Sequence, residues 1–198
     1  GGRLPQVQDW ITPNDGGGIY ATTPNIGFAI EQSCALTLTH VVLTDNEAYS
    51  GGGLYYGCEL PLTVRNSTVS NNRAVYGGAF STAGGEEFFT EALVSGSTFS
   101  GNVATSSGGA FDLSIGDGGI ILQLVNSTVS GNQAAENGGG LLLTQSAIDG
   151  RSEAQLINST IANNTATAGS GVYNRYGILA LSNSLLADNS GGSSCVFL

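Results

Sequence analysis

One short phrase ending in asparagine recurs six times along this chain, and glycine pairs recur between its copies. The phrases are LTLTHVVLTDN (Leu36 to Asn46), LTVRNSTVSNN (Leu62 to Asn72), ALVSGSTFSGN (Ala92 to Asn102), LQLVNSTVSGN (Leu122 to Asn132), AQLINSTIANN (Ala154 to Asn164) and LALSNSLLADN (Leu179 to Asn189). Among them run GGGIY from Gly16, GGGLY from Gly51, GGAF from Gly77, GGAF from Gly108, GGGLL from Gly138 and GSGVY from Gly169. Self-similarity at about 25 to 32 residues marks stacked supersecondary units, none of which buries its apolar face alone.

Within each phrase apolar and polar residues alternate. Leu62, Val64 and Val69 occupy the places taken by Leu36, Leu38 and Leu43, and later by Leu122, Leu124 and Val129, by Ala154, Leu156 and Ile161, and by Leu179, Leu181 and Leu186. That alternation reads as a strand with one buried face, and the glycine pair opens a second strand through Leu54–Tyr55 and its counterparts. No segment has helix periodicity with start and stop signals. The expected fold is therefore all-β: a single-domain, right-handed parallel β-helix of about six to seven coils. Residues 1–15 read as an N-terminal strand, cap or linker, and residues 16–198 as the repeat domain.

The recurring asparagines have a structural task. Asn46, Asn72, Asn102, Asn132, Asn164 and Asn189 are expected to stack in a column at a tight corner. There each amide bonds its neighbours or the local backbone, and asparagine tolerates left-handed geometry. Paired glycines suit a corner with positive φ or a close approach between coils.

Charge narrows the partners. Five arginines, no lysine and fifteen carboxylates leave a net charge of −10, with no basic patch for nucleic acid or for an anionic membrane. No apolar run has the length of a membrane span. The chain starts at Gly1 without an initiator Met or signal peptide, which reads as a mature or excised part of a secreted protein.

GGAF with STFSGN, and GGGL with STVSGN, resemble the two halves of the polymorphic outer-membrane-protein repeat (GGAI/FxxN). The LxLxNSTxSxN phrasing is also similar to bacterial surface proteins known as right-handed β-helix repeat proteins. The resemblance spans about Gly16 to Asn189. It implies a secreted, surface-exposed adhesive or structural protein and carries over no catalytic residue. No autotransporter barrel or anchor is visible beside the repeats.

Parallel β-helices also house polysaccharide lyases and hydrolases, which need carboxylates set at defined separations. Here carboxylates interrupt the repeat columns singly. Asp45 and Asp188 stand where Asn71, Gly101, Gly131 and Asn163 stand in other copies, which reads as a solvated corner. Coil length varies on one leg, with 20 residues from Gly52 to Asn72 and 25 from Gly139 to Asn164. Those insertions carry Glu86, Glu87, Glu91, Asp112, Asp117, Asp149, Arg151 and Glu153. Glu86, Glu87, Asp112, Asp117 and Asp149 are the candidate Ca²⁺ ligands, against the plainer reading of acidic loops that keep a rod in solution. His40, the lone histidine, occupies a column otherwise filled by Asn66, Gly96, Asn126, Asn158 and Asn183, so it reads as a polar corner residue and not as a general base. The glycine runs are no phosphate loop, since no lysine exists and no helix follows. The NST triplets at Asn66, Asn126 and Asn158, and Asn163-Asn164-Thr165, match the N-glycosylation pattern, yet they arise from the repeat itself.

Cys34 and Cys58 precede matching strands in adjacent coils, so a disulfide between them is expected. Such a bond suits an oxidising, extracellular setting. Cys195 is left over and points to pairing outside this segment or between subunits. Leu4 to Ile11 reads as a strand or plug anchored by Trp10. Open β-helix ends invite further strands, so either neighbouring modules cover them or copies stack head to tail. The sequence thus favours a non-enzymatic, extracellular structural or adhesin-like protein without a catalytic site or an obligatory cofactor. The alternative is a carbohydrate-binding or polysaccharide-cleaving β-helix that uses the acidic insertions.

Overall fold

The computed structural model describes residues 15–22, 34–82, 89–115, 119–145 and 151–198. The Leu4 to Ile11 segment with Trp10 lies outside them, as do Glu86, Glu87, Asp117 and Asp149. One coil shows the plan. Leu54–Gly57 lies in wall A, Leu62–Arg65 in wall B, Thr68–Ser70 in wall C and Arg73–Tyr76 in wall D, before Phe80–Thr82 re-enters wall A. Walls A, B, C and D hold seven, six, six and three strands. The pairing is parallel, as between Leu62 and Ala92 or Thr68 and Thr98. The fold is the expected all-β parallel solenoid. Stacking that is regular on every side covers about four turns, slightly fewer than expected, because wall D thins to single bridges at Glu47, Thr165 and Ser190.

The sequence led us to expect two strands per repeat, but a regular coil has four. Each expected long strand is broken by one residue with positive φ. At the B–C corner this is His40, Asn66, Gly96, Asn126, Asn158 or Asn183, with φ between 49° and 57°. At the C–D corner it is Asp45, Asn71, Gly101, Gly131, Asn163 or Asp188, with φ between 52° and 65°. Glycine, asparagine and aspartate reach this region at low cost, which explains why these columns admit those residues. The ladder asparagines do not themselves take the left-handed conformation. The residue just before each of them does.

Alternation then sorts the side chains. In Leu62–Arg65 the Leu62 and Val64 side chains point inward, and Thr63 and Arg65 point outward. Inward residues stack coil over coil, as in Leu62, Ala92, Leu122 and Ala154. Phe99 and Phe111 meet across the lumen with centroids 4.5 Å apart. Wall D supplies only small inward residues, and Ala104, Ala134 and Ala166 form a separate cluster. The expected core residue Leu181 is 49% exposed because no described coil covers it. Cys34 and Cys58 form the expected disulfide, tying adjacent coils just before wall B with Cα atoms 5.3 Å apart.

At the D–A corner the first glycine of each pair turns the chain and the second lets coils touch. Gly108 has φ 72°, and a Cβ on Gly109 would collide with the Gly139 carbonyl oxygen. A Cβ on Gly131 meets nothing closer than 3.9 Å, although its φ is 65°. Gly109→Ala is therefore expected to destabilise the protein by about 1–3 kcal/mol. Gly131→Asn, which copies Asn71 and Asn163, should stay within about 0.5 kcal/mol of the parent. Urea unfolding midpoints of both variants check this contrast.

Candidate functional site

The most organised polar feature is the asparagine ladder at the C–D corner. Each rung gives both its backbone N–H and its side-chain amide to the Oδ1 atom of the next rung. The series runs Asn46 to Asn72, Asn102, Asn132, Asn164 and Asn189, at 2.9–3.0 Å throughout. The amide also donates back to a wall C carbonyl, as Asn132 Nδ2 does to Phe99 O at 3.0 Å. Asn72, Asn102, Asn132 and Asn164 are buried, so these bonds satisfy groups that water does not reach.

A second ladder escaped the sequence reading. Ser67, Ser97, Ser127, Ser159 and Ser184 stack at the B–C corner. Each hydroxyl accepts the preceding coil's backbone N–H at 3.1–3.2 Å, the first of these from Val41. Each also donates to the carbonyl two residues back, as Ser67 does to Arg65 O at 2.7 Å. The signal was in view, because serine is the central residue of every NST, GST and NSL triplet. The triplets thus divide into a left-handed residue, a ladder serine and a strand residue.

Wall A has an outward column of Tyr20, Tyr55, Ser81, Asp112, Leu142 and Tyr173. The Tyr20 and Tyr55 rings stack at 5.2 Å, and burial with the nearby Asp15 charge pushes the Tyr55 phenol up to about 12. Asp112 is 4% exposed although it points outward. Its carboxylate accepts the Ser114 N–H at 2.9 Å and the Ser114 hydroxyl. Burial pushes the Asp112 carboxyl up to about 6, and the Ser114 bonds offset part of that shift. Of the candidate calcium ligands only Asp112 is among the described residues, and no group of three or more potential metal ligands converges there. Glu153, expected in an acidic loop, lies in a wall B strand, where Gln155 donates to it at 2.7 Å. His40 is an exposed corner residue. The lumen gap between Leu38, Val64, Phe80, Ala92 and Phe99 is lined by apolar side chains and offers no reactive group.

A family profile described as right handed beta helix region matches residues 27–197. The chain belongs to the right-handed β-helix family. No curated protein and no solved structure matches it. In this β-helix the last described coil carries several exposed apolar side chains, with Ile178, Leu181, Leu185 and Phe197 between 47% and 60% exposed. Cys195 continues the inward column above Val172 and is half-buried, and burial pushes its thiol up. Asn189 gives one amide hydrogen to Ile161 O at 3.1 Å. Its backbone N–H and other amide hydrogen are the donors that every other rung passes to the next coil.

Two variants measure what the buried groups contribute. Asn132→Ala strands the Asn102 donors and the Phe99 carbonyl, and should cost about 3 kcal/mol or more. Asn189→Ala, at a rung water can reach, should cost about 1 kcal/mol. Chemical denaturation of both reads the difference. Asp112 has its folded value raised, so its favourable contribution is full below the unfolded value near 4 and is lost as pH rises through about 6. Asp112→Asn should therefore raise stability at neutral pH by about 1–3 kcal/mol and flatten the profile between about pH 4 and 6. Melting temperatures across that range test the sign.

Proposed function

We propose that this right-handed β-helix is a non-enzymatic, extracellular structural protein. It serves as an adhesin-like rod or stalk at a cell surface, and its end coils stack on a second copy or on neighbouring modules of a larger surface protein. The observation that carries the reading is the last described coil, where an apolar face and unpaired ladder donors lie together. At the other end of the ladder, Asn46 Oδ1 is the one ladder oxygen to which no described rung donates, and Asn189 holds the matching donors. One position mismatches, since Val41 occupies the serine column and offers no hydroxyl to Ser184 N–H.

Other features agree. The Cys34–Cys58 disulfide suits an oxidising compartment. The likeness to the polymorphic outer-membrane-protein repeat supports a surface location. Cys195 at the open end belongs to the contact surface in this reading, with Trp10 a further contact candidate. Negative-stain electron microscopy without reductant, over several concentrations and pH values, tests it. Fibres with a regular axial repeat are expected, and discrete short rods under every condition would sink the end-to-end contact.

A second reading rests on Tyr20, Tyr55 and Tyr173, which share the outer column of wall A with Asp112 at two coils' distance from Tyr55 and from Tyr173. Aromatic side chains along one outer wall suit a polysaccharide held along the rod, bound or cleaved, with Ca²⁺ in the acidic insertions. Glycan-array binding by the parent that Tyr55→Ala abolishes supports this reading. A melting temperature unchanged by EDTA removes the calcium part of it.

A further inference from the structure

Wall C is the wall whose outer face repeats. Its strands run from Val42–Thr44 through Thr68–Ser70, Thr98–Ser100, Thr128–Ser130 and Thr160–Ala162 to Leu185–Ala187, paired in that order without a register shift. The middle residue of each faces the lumen, so the first and third form two outward columns. One column is Val42, Thr68, Thr98, Thr128, Thr160 and Leu185, and the other is Thr44, Ser70, Ser100, Ser130, Ala162 and Ala187. Hydroxyls stand in unbroken succession from Thr68 to Thr160 in the first and from Thr44 to Ser130 in the second. The duplicated phrase alone does not account for this. Wall B comes from the same phrase, yet its outward column reads Thr37, Thr63, Leu93, Gln123, Gln155 and Ala180.

The array is held still. The serine ladder fixes one edge of wall C and the asparagine ladder fixes the other. Threonine is stiff about χ1, and these threonines are half-buried by one another. The hydroxyls of Thr68, Thr98, Ser100, Thr128, Ser130 and Thr160 bond to no described residue, so their hydrogen bonds are left for what lies outside. They form a grid of about 4.8 Å along the rod, the strand spacing, by about 6.6 Å across it, two residues of a parallel strand. Each phrase is eleven residues long, and the insertions fall between a wall A strand and a wall B strand, away from this face. In a chain of net charge −10, no residue from Asn66 to Asn72, Gly96 to Asn102, Asn126 to Asn132 or Asn158 to Asn164 is charged.

That chemistry selects the ligand. A mineral lattice calls for carboxylates, and these coils place none on wall C. A sugar chain calls for aromatic platforms, and no aromatic residue stands in either outward column. A uniform, uncharged grid of hydroxyls and methyls suits a lattice built from one small hydrogen-bonding unit. The oxygens on the prism faces of ice repeat at comparable spacings. We propose that the outer face of wall C binds ice, with its hydroxyls joining the first water layer of the crystal and the threonine methyls displacing mobile water between them. The grid is ordered before contact, so little side-chain freedom is lost on binding. The site needs neither end of the rod.

Slow growth of ice in a solution of the whole chain tests the site, with thermal hysteresis, the gap between melting and freezing points, read on the same samples. The parent is compared with Thr98→Tyr plus Thr128→Tyr on wall C, and with Thr63→Tyr plus Gln123→Tyr at outward positions of wall B. Melting temperatures report whether each variant keeps the fold. The parent should be enriched in the ice and hold the gap open, the wall B variant should match it, and the wall C variant should lose both. Should the wall C tyrosines prevent folding, Ser100→Lys plus Ser130→Lys, whose long side chains extend into solvent, is expected to give the same loss. A parent excluded from ice overturns the proposal. So does a folded wall C variant that keeps its ice uptake, or a wall B variant that loses it equally. Retention on microcrystalline cellulose or chitin with exclusion from ice overturns it in favour of a crystalline glycan.

Discussion

Every other feature of this molecule depends on bonding between one coil and the next. A coil here has almost no internal backbone pairing. Its N–H and C=O groups point along the rod axis and find partners only above and below, as Gly109 N–H does on Gly138 O and Thr128 N–H on Ser97 O. Burying peptide groups without partners is costly, so the repeat must hold its register over its whole length. The asparagine and serine columns apply the same rule to side chains. They sit at the two corners where a left-handed residue interrupts the strand ladder, and they restore along the axis the bonds the corner removes. Stability is then close to a sum of nearest-neighbour terms, and an interior lesion is shared by the two coils it touches.

The fixed register leaves the lumen free to vary in shape. Wall C carries Val69, Phe99, Val129 and Ile161 in one inward column, while wall B carries Leu62, Ala92, Leu122 and Ala154. The coil with the small Ala92 has the large Phe99, and the coil with Ala154 has Ile161 in place of valine. The larger wall C side chain offsets part of the volume lost at the alanine, and such single-column changes leave the register alone, because the hydrogen bonds that fix the coil lie elsewhere.

Repetition is what made the fold readable from sequence. Six copies of one phrase establish a column that a single copy would not, and the asparagine ladder and the Cys34–Cys58 bridge both followed from aligning copies. The strand count was misread because one residue in the left-handed region leaves no trace in an apolar–polar alternation. It shows only in what the column tolerates, and His40 and Asp45 blurred that signal. Asp112 was legible as a carboxylate but not as a buried one. In wall A it is registered with residues of other coils, Ser81 below and Leu142 above, both buried as well. Leu181 was assigned to the core by its column, yet burial needs a further coil over it. Trp10 and the acidic residues at 86, 87, 117 and 149 lie outside the described residues.

An interior coil and an end coil obey opposite demands from the same sequence pattern. Inside, each corner must pass on its donors, so asparagine, serine and small neutral residues suffice. At an end the same donors and the same apolar columns form a template that accepts any coil of matching register, including another copy of the chain. The inward Leu181 and Leu186 of the last described coil carry the apolar half of that template. Val41 offers no hydroxyl at the first described position of the serine column, and Asp45 and Asp188 take the left-handed corner that neutral residues take in the coils between them. None of these three substitutions disturbs the fold of its own coil, since valine fills the turn and aspartate takes the left-handed corner as asparagine does. What they change is the surface offered along the axis, which the folding of the coil itself leaves unconstrained.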